Sequence, residues 1–447
     1  MQIGAAGENA GQHNFTCAYS QAETPTFLRR LAFGALWLLV FAIPWENAIW
    51  LPDYGTATRL IGMTAVVLGL LSLIEKGRIR FPCPAHVVMI LFTMWACISY
   101  LWSPYLESTA LQVSTYCQLL VMAWLIWQFG PERRDQERLM QAYIFGTFIS
   151  SIDILYQFIT HHEVAYQRYT GAGLNADQVG LIMAVSIPIS YYLLIHSRKL
   201  LAGIYGLQLA LGVTAILLSA GRGGFLAGLV ALSIVPVTSK KLSALQKLTI
   251  LGAIFLAVAS SLFLVPTTSW DRMSTIPEEV THGSMSQRRA VWSACWELFR
   301  THPFIGVGAG AFRESSTRFL PVPVIPHNTF LGVLAELGII GFGQFCVLLV
   351  LLLLCAKDMP ALPRKLWMVF LAVWVVAASD LTWDNGKSTW FFFGLLIAQW
   401  AAMVRKEPAR VKSTLLMSVR RTSPNNLEIS SVMAGADRPL SLPHPRL

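Results

Sequence analysis

Three stretches of this sequence set residues capable of acid–base or anion chemistry among glycines and helix starts. Ser219–Phe225 (SAGRGGF) places Arg222 between glycines in a short break between two apolar runs. Two readings fit it. One is a tight turn whose arginine snorkels to interfacial water. The other is an anion site, in which the glycines admit a phosphate to the backbone and the guanidinium supplies a bidentate fork. A helix opening at Gly223 would turn its positive end toward the same point. Ser284 to Pro303 reads as a helix, with capping-box spacing between Ser284 and Gln287 and a proline stop. Its Trp292, Cys295, Trp296 and Phe299 form an apolar stripe expected to lie on the membrane surface. Arg288 then falls in the first turn, where a cation is disfavoured unless an anion is bound beside it. Arg289 points to another face, toward solvent. Pro326, His327 and Asn328 open a further apolar helix, with Asn328 as its N-cap. His327 reads either as an interfacial histidine or, neutral near pH 7, as a general base for a hydroxyl.

Acids are few. Glu336 lies about two turns into the helix that follows Asn328 and is expected to pair with a buried polar group. Asp380 and Asp384 flank the outer end of another apolar run, placed to orient an arginine or His327, or as ordinary helix-end acids. Gly306–Phe312 (GVGAGAF) has glycine spacing like a dinucleotide fingerprint, but no strand precedes it, and it reads as a flexible turn. The chain has no Asp-x-Asp pair, no HExxH and no His/Cys/carboxylate cluster at ligand spacing. No metal or other cofactor is therefore expected, and a diphosphate would be neutralised by arginine.

The elements that must position these residues are membrane helices. Of the 447 residues 55% are hydrophobic and 13% charged, about half the charge of a soluble protein. The chain is expected to be an all-α polytopic membrane protein with about twelve spans. They fall near 31–50, 56–74, 85–102, 108–129, 138–159, 177–196, 199–219, 223–237, 247–265, 328–355, 366–383 and 388–404. The organisation expected is an N-terminal segment 1–30, spans one to nine over 31–265, one large outer loop with surface helices over 266–327, spans ten to twelve over 328–404, and a polar, disordered tail 405–447. The apolar run after Arg29 and Arg30 lacks a clear cleavage site, so a retained first helix is expected.

The net charge of +10 points to topology, and no nucleic-acid partner is expected. Alternate connections carry clusters such as Lys76, Arg78 and Arg80, Arg133, Arg134 and Arg138, and Lys357, Arg364 and Lys365. The short connections between them hold only Arg59, Arg168, Arg222 and Lys387. The positive-inside rule puts both termini in the cytoplasm, and the long loop, exempt from the rule, outside. Arg222, Arg288 and His327 are thereby assigned to one compartment. The seven cysteines show no paired spacing, and Cys295 has no cysteine partner outside. A transporter would be expected to carry internal repeats and several charges within its spans; no repeat is evident, and the charges within spans are few, mainly Asp153 and Glu336.

SAGRGG, then Arg288-x-x-x-Trp292, then HPFIGVGAGAF from His302, then His327-Asn328-x-x-Leu331-x-x-x-x-Glu336-x-Gly338 resembles, in order, the strings of the O-antigen ligase and polymerase superfamily. The likeness is strongest over 219–341. Ala220 and Gly221 depart from it by separating Ser219 from Arg222. The resemblance implies a glycosyltransferase in the bacterial inner membrane with a periplasmic active site, working without ATP or metal. The implied donor is an undecaprenyl-diphosphate-linked glycan. In the ligase branch the acceptor is lipid A–core oligosaccharide, and the product is lipopolysaccharide. Neighbouring branches use a lipid-linked glycan or a protein hydroxyl as acceptor. Carried over, Arg222, Arg288 and His327 take the essential arginine and histidine positions. Asp380 takes that of an important acid. Arg168 and Asn328 join Arg222, Arg288 and Asp380 as implied substrate-binding residues.

Overall fold

The computed structural model describes residues 26–52, 55–162, 168–238, 242–281 and 288–404. The tail 405–447, most of the N-terminal segment and the Ser284/Gln287 pair lie outside them. Helical segments stand at all twelve expected places: α1 (Phe27–Ala42), α2 (Ala57–Lys76), α3 (Pro84–Ile98), α4 (Leu106–Phe129), α5 (Arg133–Ile159), α6 (Ala176–His196), α7 (Lys199–Ser219), α8 (Arg222–Leu232) with α9 (Ile234–Thr238), α10 (Ala244–Leu264), and then, past the long loop, the last three. The loop itself carries α11 (Thr267–Ser274), α12 (Ile276–Thr281), α13 (Arg288–Thr301) and α14 (Phe312–Ser315), followed by α15 (Thr329–Lys357), α16 (Ala361–Asp380) and α17 (Lys387–Val404). The only sheet among the described residues is a minimal hairpin pairing Trp50 with Thr56 and Leu51 with Gly55. It follows α1, which ends at Ala42 rather than running to residue 50, because Pro44 brings a tight 3-10 turn.

Ten of these helices are long and apolar enough to cross a membrane. The α8–α9 unit is shorter and broken at Ser233, yet it traverses the bundle. Arg222 stands at one end, and the Val237 carbonyl accepts from Lys365 Nζ at the other, 2.8 Å away. The α17 helix is placed differently. It is buried by protein, where Ser388 Oγ pairs with Tyr143 Oη and Thr389 Oγ1 and Gln399 Oε1 accept from Trp374 Nε1 and Trp367 Nε1, away from lipid.

Contacts gather the connections at two ends of the bundle. Lys387 pairs with Glu46, Asn385 Nδ2 donates to Gln112 Oε1 (3.1 Å), Ser108 Oγ to Glu314 (3.0 Å) and Arg168 Nε to the Ser219 carbonyl (3.0 Å). These tie the connections expected on one side into one end of the bundle. At the other end Arg80 lies 3.3 Å over the Trp127 ring, and Gln246 reaches the Ile195 carbonyl at 2.6 Å. The central helix is α6, 89% buried along its apolar window, against 17% for α10 at the rim. Gly180 of α6 and Gly224 of α8 bring those two backbones together, since a Cβ at Gly224 would meet the Gly180 Cα at 3.0 Å.

Two expectations about the long loop are corrected. The GVGAGAF run is a buried plug rather than a flexible turn. The α15 helix breaks at Gly338 (φ 64°), and the chain before α14 fits into the break. Val307 N donates to the Ala335 carbonyl (3.0 Å), Gly308 N to that of Glu336 (2.8 Å) and Ile339 N to that of Pro303 (2.9 Å). The Glu336 carboxylate accepts the Gly310 and Phe312 amides at 2.8 and 3.3 Å, so its buried polar partners are backbone N–H groups. Gly306, Gly308 and Gly310 all have positive φ, and a side chain at Gly306 would strike the Glu336 backbone. The second correction concerns α13. Its buried stripe is Val291, Ala294, Cys295 and Leu298, packed on Val307, Phe312 and Ala335, while Trp296 remains 49% exposed. The face packed on the plug lies about one residue round from the expected stripe, of which Cys295 is buried in protein while Trp292, Trp296 and Phe299 stay partly open.

Candidate active site

The end of the bundle that gathers the connections expected outside holds a cavity of about 380 Å³. Arg168, Asp177, Arg222, Gly223, Arg272, Arg288, Trp292 and Asp380 line it, and Leu226, Ile276, Val375 and Val376 give it an apolar side. Four arginines face two carboxylates, so the lining carries a net charge of +2.

The α7–α8 turn supplies the first of these. Ala220 (φ 49°) closes α7 in the left-handed conformation, and Arg222 begins α8 at once. Its Nη2 donates to Thr275 Oγ1 at 3.1 Å and its Nε to the Arg272 carbonyl at 3.4 Å. In return Arg272 Nε donates to the Ala220 carbonyl at 3.3 Å, so α11 is latched onto the turn. The glycines serve a purpose other than the one expected of them. A Cβ at Gly223 would overlap the Asp380 carboxylate, and one at Gly221 would stand 3.0 Å from Asp177 Oδ1. They admit two protein carboxylates to the start of α8, where the helix dipole favours negative charge.

Arg288, at the head of α13, meets both acids. Its Nη1 contacts Asp380 Oδ1 directly, and its Nη2 lies 3.7 Å from Asp177 Oδ2. Asp177 Oδ1 accepts from Arg168 Nη2 at 2.5 Å. The expected conflict between a cation and a helix start is thus resolved by anions, here Asp380 and Asp177. Arg289 is exposed beside it, as its place on the helix predicts.

His327 is half-buried in the left-handed region (φ 51°), and its Nδ1 has no hydrogen-bond partner. It is absent from the cavity lining but stands close enough to the site to feel its charges. Burial pushes its pKa below the usual histidine value and the Arg288 guanidinium adds to this, while Asp177 opposes both. Asn328 caps α15 as expected, accepting from Leu331 N at 3.0 Å, and its amide donates to the Ser379 carbonyl at 3.3 Å. That bond ties His327's neighbour to the residue before Asp380. Asp384 sits apart. It is buried, it accepts from Tyr116 Oη, and burial raises its pKa to about 6.

The structure therefore brings together Arg168, Arg222, Arg288 and Asp380, with His327 and Asn328 at the margin. Asp177 and Arg272 were not singled out from the sequence. Asp177 lies in the first turn of α6, behind the Asn175 cap, and Arg272 is one of six arginines between residues 266 and 327.

Residues 207–346 match the family model described as O-antigen ligase, a match consistent with membership of the O-antigen ligase and polymerase superfamily. The matched stretch contains Arg222, Arg272, Arg288 and His327. Comparison with curated proteins gives no match.

Proposed function

We propose that this chain, with its O-antigen ligase match, is a glycosyltransferase that moves O-antigen glycan from undecaprenyl diphosphate to lipid A–core oligosaccharide. The reading places it in the bacterial inner membrane, both termini cytoplasmic and the cavity periplasmic. One observation carries it: four arginines and two carboxylates converge on a half-apolar cavity at the end of the bundle that the charge count assigns to the outside. A diphosphate suits the arginines, and a polyprenyl chain suits the Leu226, Val375 and Val376 side.

Arg288 and Arg222 hold the diphosphate and stabilise the negative charge that grows on it as the sugar–oxygen bond breaks. His327 removes the proton of the acceptor hydroxyl, whose oxygen then bonds to the anomeric carbon. The bonding pair of the old linkage leaves with undecaprenyl diphosphate. A single displacement inverts the anomeric configuration, and a retained configuration in the product rules it out. Arg168, Asn328 and Asp380 shape the donor site. No metal or cofactor takes part in this scheme.

A base must be unprotonated, and both burial and Arg288 lower the pKa of His327. Its active form therefore persists below pH ~6.5, the ordinary histidine value. The acid limb of kcat/KM should fall below that value, and His327→Ala should cost about 10²–10⁴ in rate. Transfer rates against pH in proteoliposomes check both. An alanine variant within a few-fold of wild type removes His327 as the base.

The acceptor is assigned by incubating the purified protein with undecaprenyl-diphosphate glycan and, separately, lipid A–core, a lipid-linked glycan or an acceptor protein. Transfer to lipid A–core is expected. Transfer only to the lipid-linked glycan makes the chain an O-antigen polymerase, and transfer only to protein makes it a protein O-oligosaccharyltransferase.

A further inference from the structure

Two carboxylates hold Arg288 with unequal grip, and the weaker has no part in the scheme above. Asp380 is in direct contact with Nη1 and is wedged against Gly223, where no Cβ fits. Asp177 divides its charge. Its Oδ1 makes a full charge-assisted hydrogen bond to Arg168 at 2.5 Å, while its Oδ2 stands 3.7 Å from Arg288 Nη2, beyond hydrogen-bond reach. Asp177 stands in the first turn of the central helix, close beside Gly221, and is held there by Arg168. Its side chain is 24% exposed and those of Arg168 and Arg288 19% and 18%, so water screens these charges weakly.

We propose that Asp177 is the exchangeable counter-charge of the cavity. With no donor bound it positions Arg168 and Arg288. When a diphosphate arrives, Asp177 yields the Nη2 side of Arg288 to a phosphate oxygen while keeping Arg168. Its remaining repulsion then sets how readily the diphosphate product departs. This rests on the diphosphate reading given above. An anion approaching Nη2 displaces a loose 3.7 Å contact and leaves the Asp380 pair intact. A fixed negative charge beside the phosphates also limits ground-state binding, which would otherwise lower KM without raising kcat. Asp177 is a positioning residue in this role, acting on the donor through the arginines.

The test uses the full chain in detergent, with inorganic pyrophosphate as the titrant in calorimetry. Asp177→Asn keeps the shape and can still accept from Arg168, but it carries no charge. Its Kd for pyrophosphate should fall about tenfold, since a unit charge a few ångströms away acts through a low effective dielectric. In the transfer reaction its donor KM should fall while kcat also falls, as product leaves more slowly. Asp177→Glu adds a methylene that closes the gap to Arg288, and its Kd should rise several-fold. A purely structural role moves both variants toward weaker binding, so opposite signs distinguish the two. A Kd for the Asn variant equal to or above that of wild type overturns the proposal and leaves the diphosphate reading standing. Wild-type protein that binds no pyrophosphate defeats that reading, and the proposal with it.

Discussion

Replacing Arg288 by Ala is expected to lower the transfer rate about 10²–10³-fold, the effect of removing one preorganised donor from developing negative charge. The guanidinium is already fixed before any substrate arrives. Asp380 holds one nitrogen, Asp177 faces the other, and the side chain is 18% exposed, so little reorganisation is left for the reaction itself. Arg288→Lys tests the geometry apart from the charge. A lysine can face one carboxylate or one phosphate oxygen but cannot span two in a planar fork, and it should recover only part of the loss. Rates per folded protein in proteoliposomes, with Tm measured alongside, check this. Removing Arg288 also leaves Asp380 buried without its cation, so some loss of stability should accompany the loss of rate. An Arg288→Ala protein within tenfold of wild type would remove this residue from the charge-stabilising role.

Gly223→Ala is expected to cost about 10²-fold in transfer through geometry alone, on the scale of a 1 Å misplacement near the reacting centre. The added methyl would occupy the place of the Asp380 carboxylate. Asp380 has little room to yield. Asn328 Nδ2 holds the Ser379 carbonyl and Thr329 Oγ1 holds that of Leu381, on either side of it. Either the Arg288–Asp380 pair parts or α8 moves off α16. Alanine is itself a better helix former than glycine by about 1 kcal/mol, so local helix propensity works against the damage. Gly203→Ala in α7 is the control, because nothing stands within 4 Å of a Cβ there, and it should transfer glycan at the wild-type rate. If the Gly223 variant matches that control, the contact with Asp380 has no bearing on catalysis.

The membrane architecture was legible because lipid cannot hydrogen-bond the backbone, so each crossing must be written as a long apolar helix. Positions that other helices cover escape this demand. That is why α17, covered along most of its length, keeps Ser388, Thr389 and Gln399. The loop plug was misread for a related reason. The glycines of GVGAGAF announce unusual backbone angles, but whether such a turn is loose or packed depends on the break at Gly338, some thirty residues later.

Within the site, Arg222, Arg288 and His327 stood out from the sequence as polar groups that neither the apolar spans nor the inside-positive clusters required. A residue that breaks a strong physical pattern is visible without any partner. Sequence by itself also sorted the helix ends by charge, and so grouped these residues at one end of the bundle, where Arg222 and Arg288 do meet. Only the tertiary structure decided what each of them touches. That Arg288 lies between Asp380 and Asp177, that Gly223 makes room for a carboxylate rather than a phosphate, and that Arg272 latches the long loop to the α7–α8 turn are matters of which helix ends meet. Those meetings are set by close packing across elements far apart in the chain, which no local spacing of residue types records.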